Sequence, residues 1–178
     1  MIKRVFWLLF ALLLLVVAAV AVNTARHGSR QLEVPPATKV DVDAAGVAER
    51  LAGAVRFQTV SSLDDPNLNA DQFRALHRYL AQQFPKLHAT LSREEVGGLS
   101  LLYRWPGTDE NASPILLLAH QDVVPIAPGT QADWQVDPFA GTVQDGFVWG
   151  RGAWDDKGNL IAQFEAVEML LAAGFQPR

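Results

Sequence analysis

The hydrophobic pattern divides the chain before any motif is considered. From Val5 to Val22, "VFWLLFALLLLVVAAVAV", every residue is apolar and no charge interrupts the run. Its 18 residues just suffice to cross a bilayer as a helix. Lys3 and Arg4 precede it, so the positive-inside rule keeps the N-terminus cytoplasmic and sends the remainder of the chain outward. A cleaved secretory signal is the competing reading, because Ala19-Val20-Ala21 has the small-residue form of a cleavage site. A buried core helix is disfavoured, since no face of the segment is polar. Residues 1–22 are therefore assigned to an anchor or signal, with the body of the protein outside the cytoplasm in either case.

Residues 23–42 read as a linker. "NTARHGSRQLEVPPATK" is polar, carries Pro35-Pro36 and shows no sustained period. From residue 43 onward the pattern becomes that of a folded domain, 43–178. Val47, Leu51, Val55 and Phe57 predict a helix over about 43–57. A second helix is expected over about 70–84, with Phe73, Leu76, Leu80 and Phe84 buried and Asn69 and Gln72 as a capping box. His77, beside Arg78, is read as a residue on the surface of that helix. "ATLSREEV" and "LSLLYRW" then predict two strands joined by Gly97-Gly98, with Glu94 and Glu95 on a solvated edge. "PILLLAH" has the apolar continuity of a strand buried on both faces. "GTVQDGFVWG" predicts a hairpin turning at Asp145-Gly146. "KGNLIAQFEAVEMLLAAG" predicts a final helix with Leu160, Phe164, Val167 and Leu171 on one face and Gly174 closing it. Helices before, strands between and a helix after imply an α/β fold in which a sheet is flanked by helices.

Composition then removes several function classes. Of 178 residues none is cysteine, so there is no disulfide framework, thiolate metal site or thiol nucleophile. A net charge of −4 without a basic run argues against a nucleic-acid partner. His27 lies in the linker with nothing nearby to complete a metal site.

Two places carry candidate chemistry. His120 ends the apolar run at "HQDVVP", where the carboxyl end of a sheet strand would open into a ligand crevice. On a strand His120 and Asp122 point to one face, so the carboxylate could fix the imidazole tautomer and leave the other nitrogen for a metal. A strand-end histidine merely satisfied by its neighbour is the alternative. The second place is "WGRGAWDDKGN", in which Asp155 follows a glycine-rich turn and stands immediately before a helix. One aspartate there would suffice as a helix cap. The adjacent Asp156 adds a repulsion that a divalent cation would relieve, and histidine with carboxylates but no cysteine fits catalytic zinc.

Together, "LLLAHQDVVP" and "W…DPFAGTVQDGFVWGRGAWDDKG" resemble the di-zinc hydrolases that include aminoacylase, carboxypeptidase S and succinyl-diaminopimelate desuccinylase. The resemblance runs from about Val47 to the C-terminus, and the N-terminal run and linker resemble the carboxypeptidase S-like branch. It implies that His120 binds one zinc, that Asp122 orients His120 and that Asp155 bridges two zinc ions. It also implies a cis peptide between Asp155 and Asp156, with Lys157 serving the turn by pairing with a nearby carboxylate. Trp134 and Phe139 are expected to pack the loop rather than bind substrate. The implied activity is zinc-dependent hydrolysis of amide bonds, in peptides from the carboxyl end or in N-acyl amino acids.

The same resemblance marks what is not found before Arg178. The family's Glu-Glu pair, a further carboxylate and a distant histidine have no counterpart, and Glu165 and Glu168 lie on the last helix instead. The chain is thus expected to hold about half of a metal centre, as an N-terminal fragment inactive by itself. The rival reading is a non-catalytic, membrane-tethered remnant or binding fragment that uses an exposed sheet edge. Oligomeric state and the preferred acyl group or side chain are not legible.

Overall fold

The computed structural model describes residues 2–29, 31–36 and 39–178; of the linker, Arg30, Ala37 and Thr38 lie outside the described residues. The chain forms two compact units, 1–41 and 42–178. In the first, helix α1 runs from Ile2 to Arg26, four residues beyond the apolar run, and is long and apolar enough to cross a membrane.

The second unit contains α2 (Ala44–Val55), α3 (Ala70–Gln83), α4 (Pro85–Thr90), β1 (Ser92–Val96), β2 (Ser100–Arg104), β3 (Thr142–Gln144), β4 (Phe147–Trp149) and α5 (Lys157–Ala172). Helix α2 begins at Asp43, whose carboxylate accepts the Gly46 N–H. Its last turn, Ala52 to Val55, is enclosed on all sides because small residues let α3 approach. Tyr79 lies against Gly53 and donates its hydroxyl to the Arg50 carbonyl at 2.9 Å.

The core lies among α2, α3, α4 and α5, with Leu76, Leu80, Phe84, Leu87, Leu160, Ile161 and Phe164 buried together. Each such side chain contributes about 1.5–3 kcal/mol by leaving water, and Phe84 meets Phe164 edge-on at 5.2 Å. The carboxylates of α5 that fell outside the family pattern are structural. Glu165 forms a bidentate pair with Arg50, and Glu168 accepts the N–H groups of Lys86 and Leu87 at 2.9 and 2.8 Å. Helix α5 closes as expected, with Gly174 at a positive φ of 72°.

Both hairpins form as read. β1 pairs antiparallel with β2 through a three-residue turn that contains Gly97 and Gly98, and β3 with β4 through Asp145-Gly146, both of which are at positive φ as that two-residue hairpin turn requires.

Four expectations differ. The capping box does not form: Asn69 takes a left-handed backbone and its amide donates to the Val60 carbonyl, while Gln72 accepts from Gln58. His77 is buried at 4% exposure rather than on the surface, since it stands four residues from Phe73 on the same helical face. A short helix, α4, precedes β1, started by Pro85 at its first position. The largest difference is "PILLLAH". Ile115, Leu116, Leu117 and Leu118 are 58–86% exposed, in a segment to which no strand is assigned. A strand is buried on both faces only where neighbours flank it. Among the described residues the strands form two separate two-stranded sheets, so the single helix-flanked sheet is not assembled.

Candidate metal centre

The carboxyl end of that same segment is firmly held. Val123 bridges Val60 in parallel and donates its N–H to the Thr59 carbonyl at 2.9 Å, while Thr59 Oγ1 donates to the Gln121 carbonyl at 2.6 Å. Thr59 and Val123 are both buried. On the other side, Asn159 and Gln163 of α5 donate their amides to the Leu118 carbonyl. His120, between these clamps, is fixed in backbone though half-exposed in side chain.

The glycine turn is packed as tightly. A side chain at Gly152, whose φ is 83°, would collide with Val123, and one at Gly150 would meet Val55 and the Pro138 carbonyl. The turn leads through a cis peptide between Asp155 and Asp156, as expected, into α5. Lys157 is fully buried and departs from the expected carboxylate pairing. Its ammonium donates to the carbonyls of Ala54 and Phe57 at 3.0 and 2.6 Å, satisfying the open end of α2. Burial pushes its pKa down to about 8.

These two clamped segments bring the three sequence-predicted residues together. His120 Nδ1 lies 3.1 Å from Asp122 Oδ1 and 3.0 Å from the Asp122 carbonyl, while Nε2 lies 2.8 Å from Asp155 Oδ1. The imidazole thus stands between two carboxylates, one at each nitrogen. Burial works against charge on His120, but the hydrogen bond to Asp155 and the proximity of Asp122 outweigh it and raise its pKa. Asp155 is largely exposed and faces a cleft of about 310 Å³ lined also by Asp122, Arg151 and Trp154. The two acids of the glycine-rich turn do different work. Asp156 turns away from the cleft and accepts the His120 N–H at 3.0 Å and the Asn159 amide at 3.2 Å, so it ties the histidine to the head of α5.

The donor set fits zinc in kind. An imidazole nitrogen and a carboxylate oxygen converge without sulfur, and the second imidazole nitrogen has a carboxylate partner that orients the ring. Among the described residues no group of three or more His, Asp or Glu side chains is arranged to hold a metal.

Sequence reading missed Ser61, whose hydroxyl donates to Asp122 Oδ2 at 2.5 Å, and Asp156 as the anchor of His120. A serine in an interhelical segment carries no signal of its contact. Trp154 was legible in principle: a tryptophan 92% exposed inside a polar turn is anomalous, and it stands at the rim of the cleft. Trp134 is half-buried beneath Arg151, whose guanidinium lies 5.2 Å from the ring centre.

Comparison with known proteins identifies the family. The profile of peptidase family M20/M25/M40 matches residues 116–178, the stretch that contains His120, Asp122 and Asp155. The chain is 46% identical over 136 residues to carboxypeptidase S of Saccharomyces cerevisiae, covering 72% of this chain and 24% of that protein. It is 38% identical over 134 residues to N-fatty-acyl-amino acid synthase/hydrolase PM20D1 of Xenopus tropicalis, covering 74% of this chain and 25% of that protein. Among solved structures, the M20 family metallo-carboxypeptidase Sso-CP2 from Sulfolobus solfataricus aligns with a TM-score of 0.52 at 23% identity, over 72% of this chain and 28% of that one. That likeness supports a shared mixed α/β fold. The chain belongs to the M20 peptidases, a family of metal-dependent hydrolases. Within it the chain falls on the carboxypeptidase S-like branch, and it spans about a quarter of the length of the relatives named.

Proposed function

We propose that residues 43–178 contribute to the catalytic domain of a zinc-dependent hydrolase of amide bonds, acting on peptides as a carboxypeptidase or on N-acyl amino acids. His120 and Asp155 are its metal ligands and Asp122 orients His120. One observation carries the reading: His120 is held between Asp122 and Asp155, with a separate carboxylate for each ring nitrogen. Zinc, when bound, supplies a Lewis acid for the amide carbonyl. This chain's residues set the donor directions: Asp122 takes the proton side of the imidazole, Asp156 fixes its backbone and the packed glycine turn presents Asp155. The relatives named, a carboxypeptidase and an N-acyl amino acid hydrolase, support an amide substrate.

Zinc titration of the purified chain tests the assignment. His120→Ala and Asp155→Ala should each abolish the binding shown by the unsubstituted chain, and retention of wild-type binding by both variants would remove the metal reading. By itself the chain of 178 residues is expected to hydrolyse neither a dipeptide nor an N-acyl amino acid, because its acids Glu165 and Glu168 are committed to Arg50 and α4. Zinc-dependent turnover by the chain alone would overturn that expectation.

Helix α1 is proposed as a membrane anchor with residues 43–178 outside the cytoplasm, supported by its length, its apolarity and the flanking Lys3 and Arg4. Protease protection in sealed membranes tests it: cleavage of the domain from the cytoplasmic side would refute the orientation.

A further inference from the structure

We infer that Ser61 is a positioning residue for the histidine of the candidate metal centre, fixing the Asp122 carboxylate so that the His120 proton sits on Nδ1. The inference rests on the proposed metal site and deepens it. Its ground is the division of labour on one carboxylate: Asp122 Oδ1 faces His120 Nδ1 at 3.1 Å, and Oδ2 accepts the Ser61 hydroxyl at 2.5 Å. With both oxygens engaged, the carboxylate cannot rotate about its last bond without breaking one contact.

Ser61 is itself placed by a rigid mount. Thr59 and Val60 join the segment bearing His120 through the Val60–Val123 bridge and the two hydrogen bonds of Thr59, and the Asn69 amide grips the Val60 carbonyl from the opposite side. The hydroxyl therefore arrives at Asp122 from backbone that is already ordered, and little side-chain freedom is lost in forming the contact. The acceptors competing for the His120 proton are the carbonyl and carboxylate of Asp122 at Nδ1, at 3.0 and 3.1 Å, and the largely exposed Asp155 carboxylate at Nε2, at 2.8 Å. Only with the proton on Nδ1 does Nε2 present a lone pair toward Asp155 and the cleft. The serine tips this competition by immobilising one competitor while the other remains free to turn into solvent.

Nitrogen-15 NMR of the metal-free chain, followed with rising pH until the imidazole shifts reach their neutral plateau, reads the tautomer directly. The unsubstituted chain and Ser61→Thr, which keeps a hydroxyl, should show His120 protonated on Nδ1. Ser61→Ala should move the proton toward Nε2, with its thermal melt unchanged. Ser62→Ala is the control, because Ser62 accepts from the N–H groups of Asp64 and Asp65 rather than engaging Asp122. In zinc titration Ser61→Ala should weaken binding about 10-fold, as loss of an outer partner of a liganding histidine does, and Ser61→Thr should restore it. An unchanged tautomer in Ser61→Ala overturns the inference, as does Ser61→Thr behaving like Ser61→Ala. Should His120→Ala leave zinc binding intact, the metal reading fails, and the tautomer measurement still decides the role of the serine.

Discussion

Residues 115–118 and residues 120–123 belong to one extended segment but meet opposite surroundings. The first four are aliphatic and lie open, with Ile115 at 86% exposure. The second four are tied by hydrogen bonds from Thr59 and His77 to Gln121, by the His120 N–H donated to Asp156 and by the Val60–Val123 bridge. Apolar character thus does not predict which part of the segment is ordered by contact. The chemistry-bearing end is organised by the α2–α3 connection and the head of α5; the aliphatic half contributes the Leu118 carbonyl, held by Asn159 and Gln163, while its side chains stay open.

That contrast can be broken most forcefully beneath the glycine turn. Lys157→Ala would leave the carbonyls of Ala54 and Phe57 without their donor and a void where a fully buried side chain stood. It should cost about 3 kcal/mol in urea unfolding; a loss below about 1 kcal/mol would mean that the turn is not supported from α2. Asp156→Ala removes the acceptor of the His120 N–H and should cost about 1–2 kcal/mol, the range for a charged, partly exposed hydrogen-bond partner. Amide exchange at His120 should quicken in the same variant, and unchanged exchange would show that this tie does not hold the segment.

A smaller effect is expected from acid. His77 Nε2 donates to Gln121 Oε1 over 2.7 Å, and burial, its largest influence, lowers its pKa below the ordinary value. Below about pH 6.5, where an unfolded histidine takes up a proton, the unfolded chain binds protons that the folded one refuses. Stability contributed by neutral His77 is therefore present above that pH and lost as pH falls below it. The urea midpoint followed from pH 8 to pH 5 should decline, and His77→Leu should flatten that decline whatever its absolute stability. The smallest effect belongs to the open half. Ile115→Lys should change stability by less than about 0.5 kcal/mol, as an exposed substitution does, and a cost above 1 kcal/mol would show that these residues are packed.

Legibility followed the range of the forces involved. Helices α2, α3 and α5 were readable because Phe73, Leu76 and Leu80, or Leu160 and Phe164, recur at a spacing set by local geometry. The turn at Asp145-Gly146 was readable because its backbone demands those residues. The burial of His77 was present in the same periodicity and was obscured by its polarity and by Arg78 beside it. The environment of Ile115 to Leu118 was not readable, because burial of a strand is a property of its neighbours. At the site, His120, Asp122 and Asp155 were visible through their spacing and family pattern. Ser61 and Asp156 act through contacts across 61 and 36 residues, which no local pattern encodes. Lys157 misled because a lysine beside acids suggests an ion pair, whereas the carbonyls ending α2 lie within its reach.

The carboxylate of Glu168 has a consequence for how the domain comes together. It supplies acceptors for the first N–H groups of α4, although more than 80 residues of chain separate the two. Six residues make too short a helix to persist unaided. The order of α4 is thus borrowed from α5, and the amide protons of Lys86 and Leu87 become reporters on a distant event. Their protection from deuterium should appear only when α5 docks, making two backbone positions a clock for closure of the core.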